Sequence, residues 1–403
     1  MTKKLFILLL SATSIFAQNK EIESVSIGKK YTIRSGILNE DRTYWVNLPA
    51  SYDDPRFSKN SYPVLYVLDG KSAFSPICGV LNFMSARENV NYQLPEMIVV
   101  GVDTENRVRD FTPNASNRAA DGSASKSNLM MAASGGGEQF FDFISKELIP
   151  LVEKNHRTLP YRVYVGHSLG GLTTTYTLLY HAGVFDAYLA IDPSLWWDGA
   201  SMINKSPEIL KQYPTQKMQR YYVSVVDSVS QRGQNFHINS IHNFGKALKD
   251  NAPANVKWKV EVIPNTDHSS IPLLTWYYGL QFLFEGYEPD IYGMMRDPDL
   301  MEKHFKHLET TLGLKMPPLE QVLEILSHYF SAPNRYPNAK KAFKVLEMGL
   351  KHFLDSPCLN ENLGKAYVLN NEPQKAVAAY EKAFYLNPKD EAVKKKLEEL
   401  KEK

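Results

Sequence analysis

Cysteine is scarce in this chain: Cys78 and Cys358 are the only two among 403 residues. A disulfide framework cannot be its source of stability, and two isolated thiols are expected rather than a bridge. No cysteine–histidine spacing resembles a zinc site, and no G-x-x-x-x-G-K-S/T phosphate loop is present. An excess of one charge is missing too, since 46 Lys and Arg balance 44 Asp and Glu. A net charge of +2 offers no electrostatic case for nucleic acid or anionic membrane. The apolar run at the start, Leu5 to Leu10, is too short to span a bilayer. What remains is an ordinary globular composition, 43% hydrophobic and 22% charged, long enough for two or three domains.

The first 17 residues stand apart. Lys3-Lys4 is a positive n-region, Leu5 to Leu10 an apolar h-region, and Ile15-Phe16-Ala17 ends in a small residue before Gln18. That pattern predicts a cleavable secretory signal peptide over 1–17, and hence a secreted or periplasmic protein with no membrane span in the mature chain. Removing Lys3 and Lys4 takes the net charge from +2 to about zero.

Two alternating stretches, Ser24 to Arg34 and Thr43 to Leu48, read as half-buried antiparallel strands. Continuous β-rich runs follow: Val64 to Leu68, Met97 to Val102, Val163 to Val165, Ala187 to Ile191, Tyr221 to Val226 and Val256 to Val262. Apolar runs without alternation belong in a parallel sheet covered on both faces, and helical stretches lie between them, such as Phe140 to Val152 and Leu273 to Phe284. The expected fold over residues 20–286 is therefore α/β, a doubly wound and mostly parallel sheet whose sites form at the carboxyl ends of strands. Asn114 to Gly137, rich in Ala, Ser, Asn and Gly, is long for a structureless loop and reads as a lid over that edge.

From about Tyr287 strand-like runs stop, and 287–403 reads as a small all-helical domain. Leu363-Gly364, Tyr367, Ala376, Tyr380, Ala383 and Pro388 fall at the spacings of a tetratricopeptide-like repeat, best matched over 357–390. Such a repeat would offer a surface to a protein partner. Glu391 to Lys403 reads as a charged capping helix.

The chemistry centres on Gly166-His167-Ser168-Leu169-Gly170-Gly171. It follows the strand Arg162 to Val165 and precedes a helical stretch, the context of a nucleophile elbow. Its glycines permit a turn sharp enough to lift the Ser168 hydroxyl clear. A serine needs a base, and in this order of elements the histidine comes last. His268 follows the last strand in the loop Pro264 to His268. His181 and His242 lie in helical stretches, and His237 sits in a loop too early for the last strand. Oxyanion donors are expected at the N–H of Leu169 and, after the strand Val64 to Leu68, at Lys71. The acid is expected at Asp227, after the strand Tyr221 to Val226, with Asp192 as the competing carboxylate and a Ser–His dyad without an acid as the third alternative. Trp196, Trp197 and Arg109 are candidate substrate-binding residues, although at least one of the tryptophans would equally serve as buried packing beside the sheet, and Arg109 beside Asp110 as a structural pair.

Several of these segments, in order, resemble the esterase D branch of the α/β-hydrolases. They are Tyr62 to Gly70, Val100 to Asp103, Arg109-Asp110-Phe111-Thr112-Pro113, Ser134 to Gly137, the elbow, and Asp192-Pro193-Ser194-Leu195-Trp196-Trp197-Asp198. The resemblance is closest to enzymes that hydrolyse the trilactone of enterobactin-type siderophores, and it covers roughly 20–285. It implies a serine esterase that needs no cofactor and works through an acyl-enzyme on a small-molecule or glycan ester. In that family the nucleophile, histidine and oxyanion donors map onto Ser168, His268, Lys71 and Leu169. One departure stands out: relatives commonly carry serine where this chain has Asp192. An acetyl or feruloyl esterase acting on polysaccharide is the rival enzyme reading. A degenerate hydrolase scaffold that binds through its helical repeat is the rival from another class.

Overall fold

The computed structural model describes residues 25–87, 90–118, 123, 133–227 and 235–402. The expected leader lies outside these residues, as does most of the expected lid, including Met130-Met131.

Eight strands form one sheet: β1 (Lys29–Ser35), β2 (Glu40–Asn47), β3 (Tyr62–Leu68), β4 (Ile98–Val102), β5 (Thr158–His167), β6 (Ala187–Ile191), β7 (Gln219–Val226) and β8 (Val256–Ile263). Their spatial order is β1-β2-β4-β3-β5-β6-β7-β8. β2 pairs antiparallel with β1 and β4, and every other neighbour is parallel. The strands with continuous apolar runs are those covered on both faces: every residue of β3, β4, β6 and β7 is buried. β1 sits at one edge and alternates, exposing Lys30, Thr32 and Arg34 while Tyr31 and Ile33 are half-buried. Pro63 donates no ladder hydrogen bond, and the β3–β5 register shifts between Tyr62 and Val64.

Helices Gly70–Met84, Leu169–Tyr180, Trp197–Lys211, Asn235–Asn251 and Ile271–Leu283 cross between or follow the strands. The helix expected from Phe140 to Val152 runs without a break over 137–155 and carries a π turn at Ile144–Leu148. Because the parallel strands all run the same way, the ends of β3, β5, β6, β7 and β8 open onto one edge. That edge holds the site.

Seven further helices run from Ile291 to Lys401. Helices Pro357–Leu369 and Pro373–Leu386 form an antiparallel pair in which Gly364 leaves room for the Tyr380 ring. Any Cβ at 364 would come 2.6 Å from that ring. The helices nearer the sheet share its core, while Tyr380, Ala383, Val393 and Leu397 make a small separate cluster at the far end.

Candidate active site

β5 ends at His167, and Ser168 takes φ 60°, ψ −114° before the helix begins at Leu169. A side chain in that region is strained, and the surrounding turn leaves it no alternative. A Cβ at Gly166 would lie 2.2 Å from the Gly170 carbonyl oxygen, and one at Gly171 would lie 2.9 Å from Pro193 Cβ. The glycines are thus required by the close crossing of strand and helix. Ser168 N–H donates to the Ile191 carbonyl at 2.9 Å, and Ser194 N–H donates to the Ser168 carbonyl at 3.0 Å. These bonds tie the elbow to the end of β6. The Ser168 hydroxyl is 3.3 Å from that of Ser194.

The loop after β3 reaches the same place. Asp69 adopts a left-handed φ of 56° and starts helix Gly70–Met84. A Cβ on Gly170 would sit 3.5 Å from Asp69 Oδ2, so the starts of the two helices converge. Leu169 and Lys71 fall in their first turns, where backbone N–H groups lack intrahelical acceptors and carry the positive end of the helix dipole. The Lys71 side chain is exposed. Arg107 braces this corner by donating from Nε to Asp69 Oδ1 at 2.7 Å, and from Nη2 to the His167 carbonyl at 2.8 Å.

His268 stands in the loop after β8, and its ring lies 4.5 Å, centre to centre, from that of His167. Its partner is a carboxylate: His268 Nδ1 is 2.6 Å from Asp192 Oδ2. Of the two carboxylates weighed for this position, Asp227 and Asp192, it is Asp192 that stands at hydrogen-bond distance from His268. Asp192 follows β6 directly and turns at φ 39°, a left-handed value that aspartate tolerates better than most residues. This turn brings its carboxylate across the edge beside β7, where Oδ1 also accepts from Val226 N–H at 3.3 Å. Burial opposes ionisation of Asp192, but hydrogen bonds from His237 and His268 outweigh it and hold the carboxyl well below its usual range. Burial and the neighbouring His268 bring His167 down to about 4, so it is neutral near pH 7.

A family model described as "Putative esterase" matches residues 35–270, which include the sheet, the elbow and His268. The chain belongs to this esterase family. Ferri-bacillibactin esterase BesA of Bacillus subtilis is 31% identical over 178 residues, 42% of this chain and 59% of that protein. The siderophore triacetylfusarinine C esterase of Aspergillus fumigatus is 23% identical over 172 residues, 40% of this chain and 54% of that protein. The chain thus spans less than two thirds of the length of these relatives. Among solved structures, an IroE-like serine hydrolase from Shewanella oneidensis superposes with a TM-score of 0.71 at 28% identity, covering 80% of this chain and 99% of that one. An uncharacterised protein from Capnocytophaga ochracea shares the fold over 93% of this chain and 100% of its own, with a TM-score of 0.57 at 16% identity.

Other residues of this esterase-family chain fall elsewhere than expected. Arg109 is occupied, with Nη2 2.6 Å from Glu40 Oε1 and Nε 2.7 Å from Asp110 Oδ1. Asp110 is fully buried and also meets buried Arg42 at 2.7 Å, so Arg109 completes a structural charge network. Trp197 is buried and donates from Nε1 to the Asn114 carbonyl, 3.3 Å away. Trp196 is half-buried and packs edge-on to Phe236. His237, expected in a loop, lies in the first turn of helix Asn235–Asn251. Its Nε2 is 3.1 Å from the same Asp192 Oδ2. Nothing in the linear spacing pointed to it. A signal did exist for Asp192, the carboxylate standing in a segment where relatives carry serine.

Asp192, His237 and His268 bring ligating atoms within 4.8 Å of one another. The 2.6 Å separation of His268 Nδ1 and Asp192 Oδ2 is a hydrogen-bond distance. Two ligands on one tetrahedral zinc would stand roughly 3.3 Å apart.

Proposed function

We propose that this protein is a serine carboxylic-ester hydrolase in which Ser168 is the nucleophile, His268 the general base and Asp192 its acid. The observation that carries the reading is the 2.6 Å contact between His268 Nδ1 and the buried Asp192 carboxylate, at the strand edge that also holds the elbow. Ser168 Oγ attacks the ester carbonyl while His268 Nε2 takes its proton. The negative charge on the carbonyl oxygen falls between the N–H groups of Leu169 and Lys71. Collapse of this intermediate breaks the bond to the alcohol, which leaves with the proton from His268, and Ser168 is acylated. Water then attacks the acyl group, again through His268, and the free acid departs. Asp192 fixes the tautomer of His268 and stabilises its charged form. In the absence of substrate Ser168 is paired with Ser194, and catalytic hydrogen bonds commonly tighten only when substrate arrives.

A cleft of about 510 Å³ lies beside the elbow, with Gly166 and His167 at its base and Ala73, Pro76, Leu273 and Trp276 among its walls. Its apolar walls suit an aromatic or acyl group. Together with the siderophore esterases among the relatives, this supports a siderophore-type ester as substrate. The leader pattern over 1–17 supports action outside the cytoplasm. The pairing of Gly364 with Tyr380 supports a tetratricopeptide-like unit within the tail.

The test is Ser168→Ala in the full chain, assayed on p-nitrophenyl esters, feruloyl esters and catecholate trilactones side by side. Removal of the nucleophile is expected to cost ~10⁶ in kcat, with the melting temperature unchanged. Turnover above a few per cent of wild type on any substrate would reject the nucleophile. Preference for feruloyl esters over trilactones would reject the siderophore reading alone.

A further inference from the structure

Asp192 carries more than a triad acid ordinarily does. The same oxygen, Oδ2, faces two imidazoles: His268 Nδ1 at 2.6 Å and His237 Nε2 at 3.1 Å. The two rings stand at 88°, their centres 5.6 Å apart, so they approach the oxygen from different sides. Their environments differ sharply. The side chain of His268 is 38% exposed and that of His237 5%, while Asp192 has no exposed surface at all. A buried imidazole must satisfy its ring nitrogens or lose free energy, and among the described residues His237 Nε2 has no well-aligned hydrogen-bond partner; the Asp192 carboxylate 3.1 Å away is the charged group it faces. The fold delivers His237 from the connection after β7, the place from which the acid was expected. The acid comes instead from β6, and the β7 connection supplies a second imidazole behind it.

We infer that His237 is a positioning residue for the esterase reaction, holding the Asp192 carboxylate toward His268 and setting the basicity of His268. This rests on the assignment of Ser168, His268 and Asp192 above. The physical argument concerns one oxygen and two donors. An N–H from His237 drains negative charge from Oδ2, so the His268 imidazolium is stabilised less than by a carboxylate serving it alone. The side chain of His237 also blocks rotation of the carboxylate away from His268, because Oδ1 is held by Val226 N–H on the other side.

The groups facing His268 come from several elements. They are His167 at the end of β5, Asp192 after β6, His237 on helix Asn235–Asn251, and Asp267 in its own loop, with Arg107 and Asp69 behind His167. His167 is neutral down to about pH 4 and is not the group that titrates near neutrality. Asp69 and Arg107 are paired with each other. His237 is therefore the neighbour whose removal changes the field at His268 most directly.

The experiment measures the rate at which a fluorophosphonate labels Ser168 in the full-length chain from pH 5 to 9. It compares wild type, His237→Ala and His237→Gln, with Ser168→Ala as the control. Losing a hydrogen bond to a charged group is expected to slow His237→Ala about tenfold at pH 7. It is also expected to move the acidic limb of the profile up by about one pH unit. Glutamine places an amide N–H where Nε2 stood, so His237→Gln should recover to within about threefold of wild type, with the limb near its original position. Wild-type rates and an unmoved limb in His237→Ala would overturn the inference, as would equal impairment of both variants with no movement of the limb. Unchanged labelling in the Ser168→Ala control would instead remove the nucleophile assignment itself.

Discussion

Asp192 combines three properties rarely found together in one residue: a positive φ of 39°, a fully buried carboxylate, and two imidazoles on one oxygen. A buried charge persists only where hydrogen bonds replace the lost water, and those bonds make this carboxylate a strong orienting group. Asp192→Asn keeps the shape and removes the charge, and is expected to lower kcat by ~10⁴, whereas Asp227→Asn should stay near wild type. Steady-state assays of the two variants decide this, and the opposite ranking would return the acid to Asp227. The stability of the protein should also follow this group. Its pKa in the folded state lies below the unfolded value of about 3.9, so its contribution is complete above that pH and is lost as pH falls through the folded value. Between pH 5 and 3 the melting temperature of Asp192→Asn should therefore fall less than that of wild type.

The connection between β5 and helix Leu169–Tyr180 depends on glycines for packing as well as for φ. At Gly166 the nearest atoms to a new Cβ are the carbonyl oxygen and carbon of Gly170, at 2.2 and 2.3 Å, and backbone cannot yield as a side chain end can. Gly166→Ala must push the helix start away from the strand, which displaces the Leu169 N–H and the Ser168 hydroxyl together. Overpacking of this kind costs about 1–3 kcal/mol. The expected outcome is a folded protein with a lowered melting temperature and at least ~10² less activity, since small displacements of reacting groups carry costs of that order. Activity within a few-fold of wild type would show that the turn has slack. The loop after β3 is set differently, by charge: Arg107 bridges Asp69 and the His167 carbonyl and so links the starts of helices Gly70–Met84 and Leu169–Tyr180.

The helical tail is bound to the sheet by buried polar contacts as well as by shared core. Glu320, only 3% exposed, accepts from Ser58 N–H and from Asn60 Nδ2, the latter at 2.8 Å. Arg87 pairs with Glu324 at 2.6 Å, and buried Arg220 of β7 donates to the Thr311 carbonyl at 3.3 Å. Removing the tail would strand these groups and expose the apolar residues beneath helices Leu300–Leu312 and Glu320–Ser331. A chain ending near residue 290 is therefore expected to melt about 5–10 °C lower than the full protein, with reduced soluble yield. Equal melting temperatures would mark the tail as a separable appendage. Removing only the last helix, Glu391–Lys401, should cost much less, because its cluster is small and stands apart from the main core.

Sequence alone determined the architecture because its signals are local. A strand buried on both faces must be apolar at every position, so β3, β4, β6 and β7 were legible as continuous runs, while the exposed edge strand β1 announced itself by alternation. The elbow was legible because only glycine fits where a Cβ would meet backbone at 2.2 Å. The tail was legible from helical periodicity and the small residues that let Tyr380 approach Gly364. Tertiary structure alone decided how charged and aromatic side chains are shared out. Asp192 and His268 are distant in sequence, and their meeting depends on the ends of β6 and β8, set on either side of β7, and on one positive φ, neither visible in spacing. Arg109 was drawn into a network by Glu40, a residue of β2 brought alongside by the sheet, and Trp197 was spent on the core. His237 reached the acid only because a helix starts where a loop was expected. Backbone form follows from short-range sterics and burial, whereas partners for buried charge depend on which distant elements the completed sheet sets side by side.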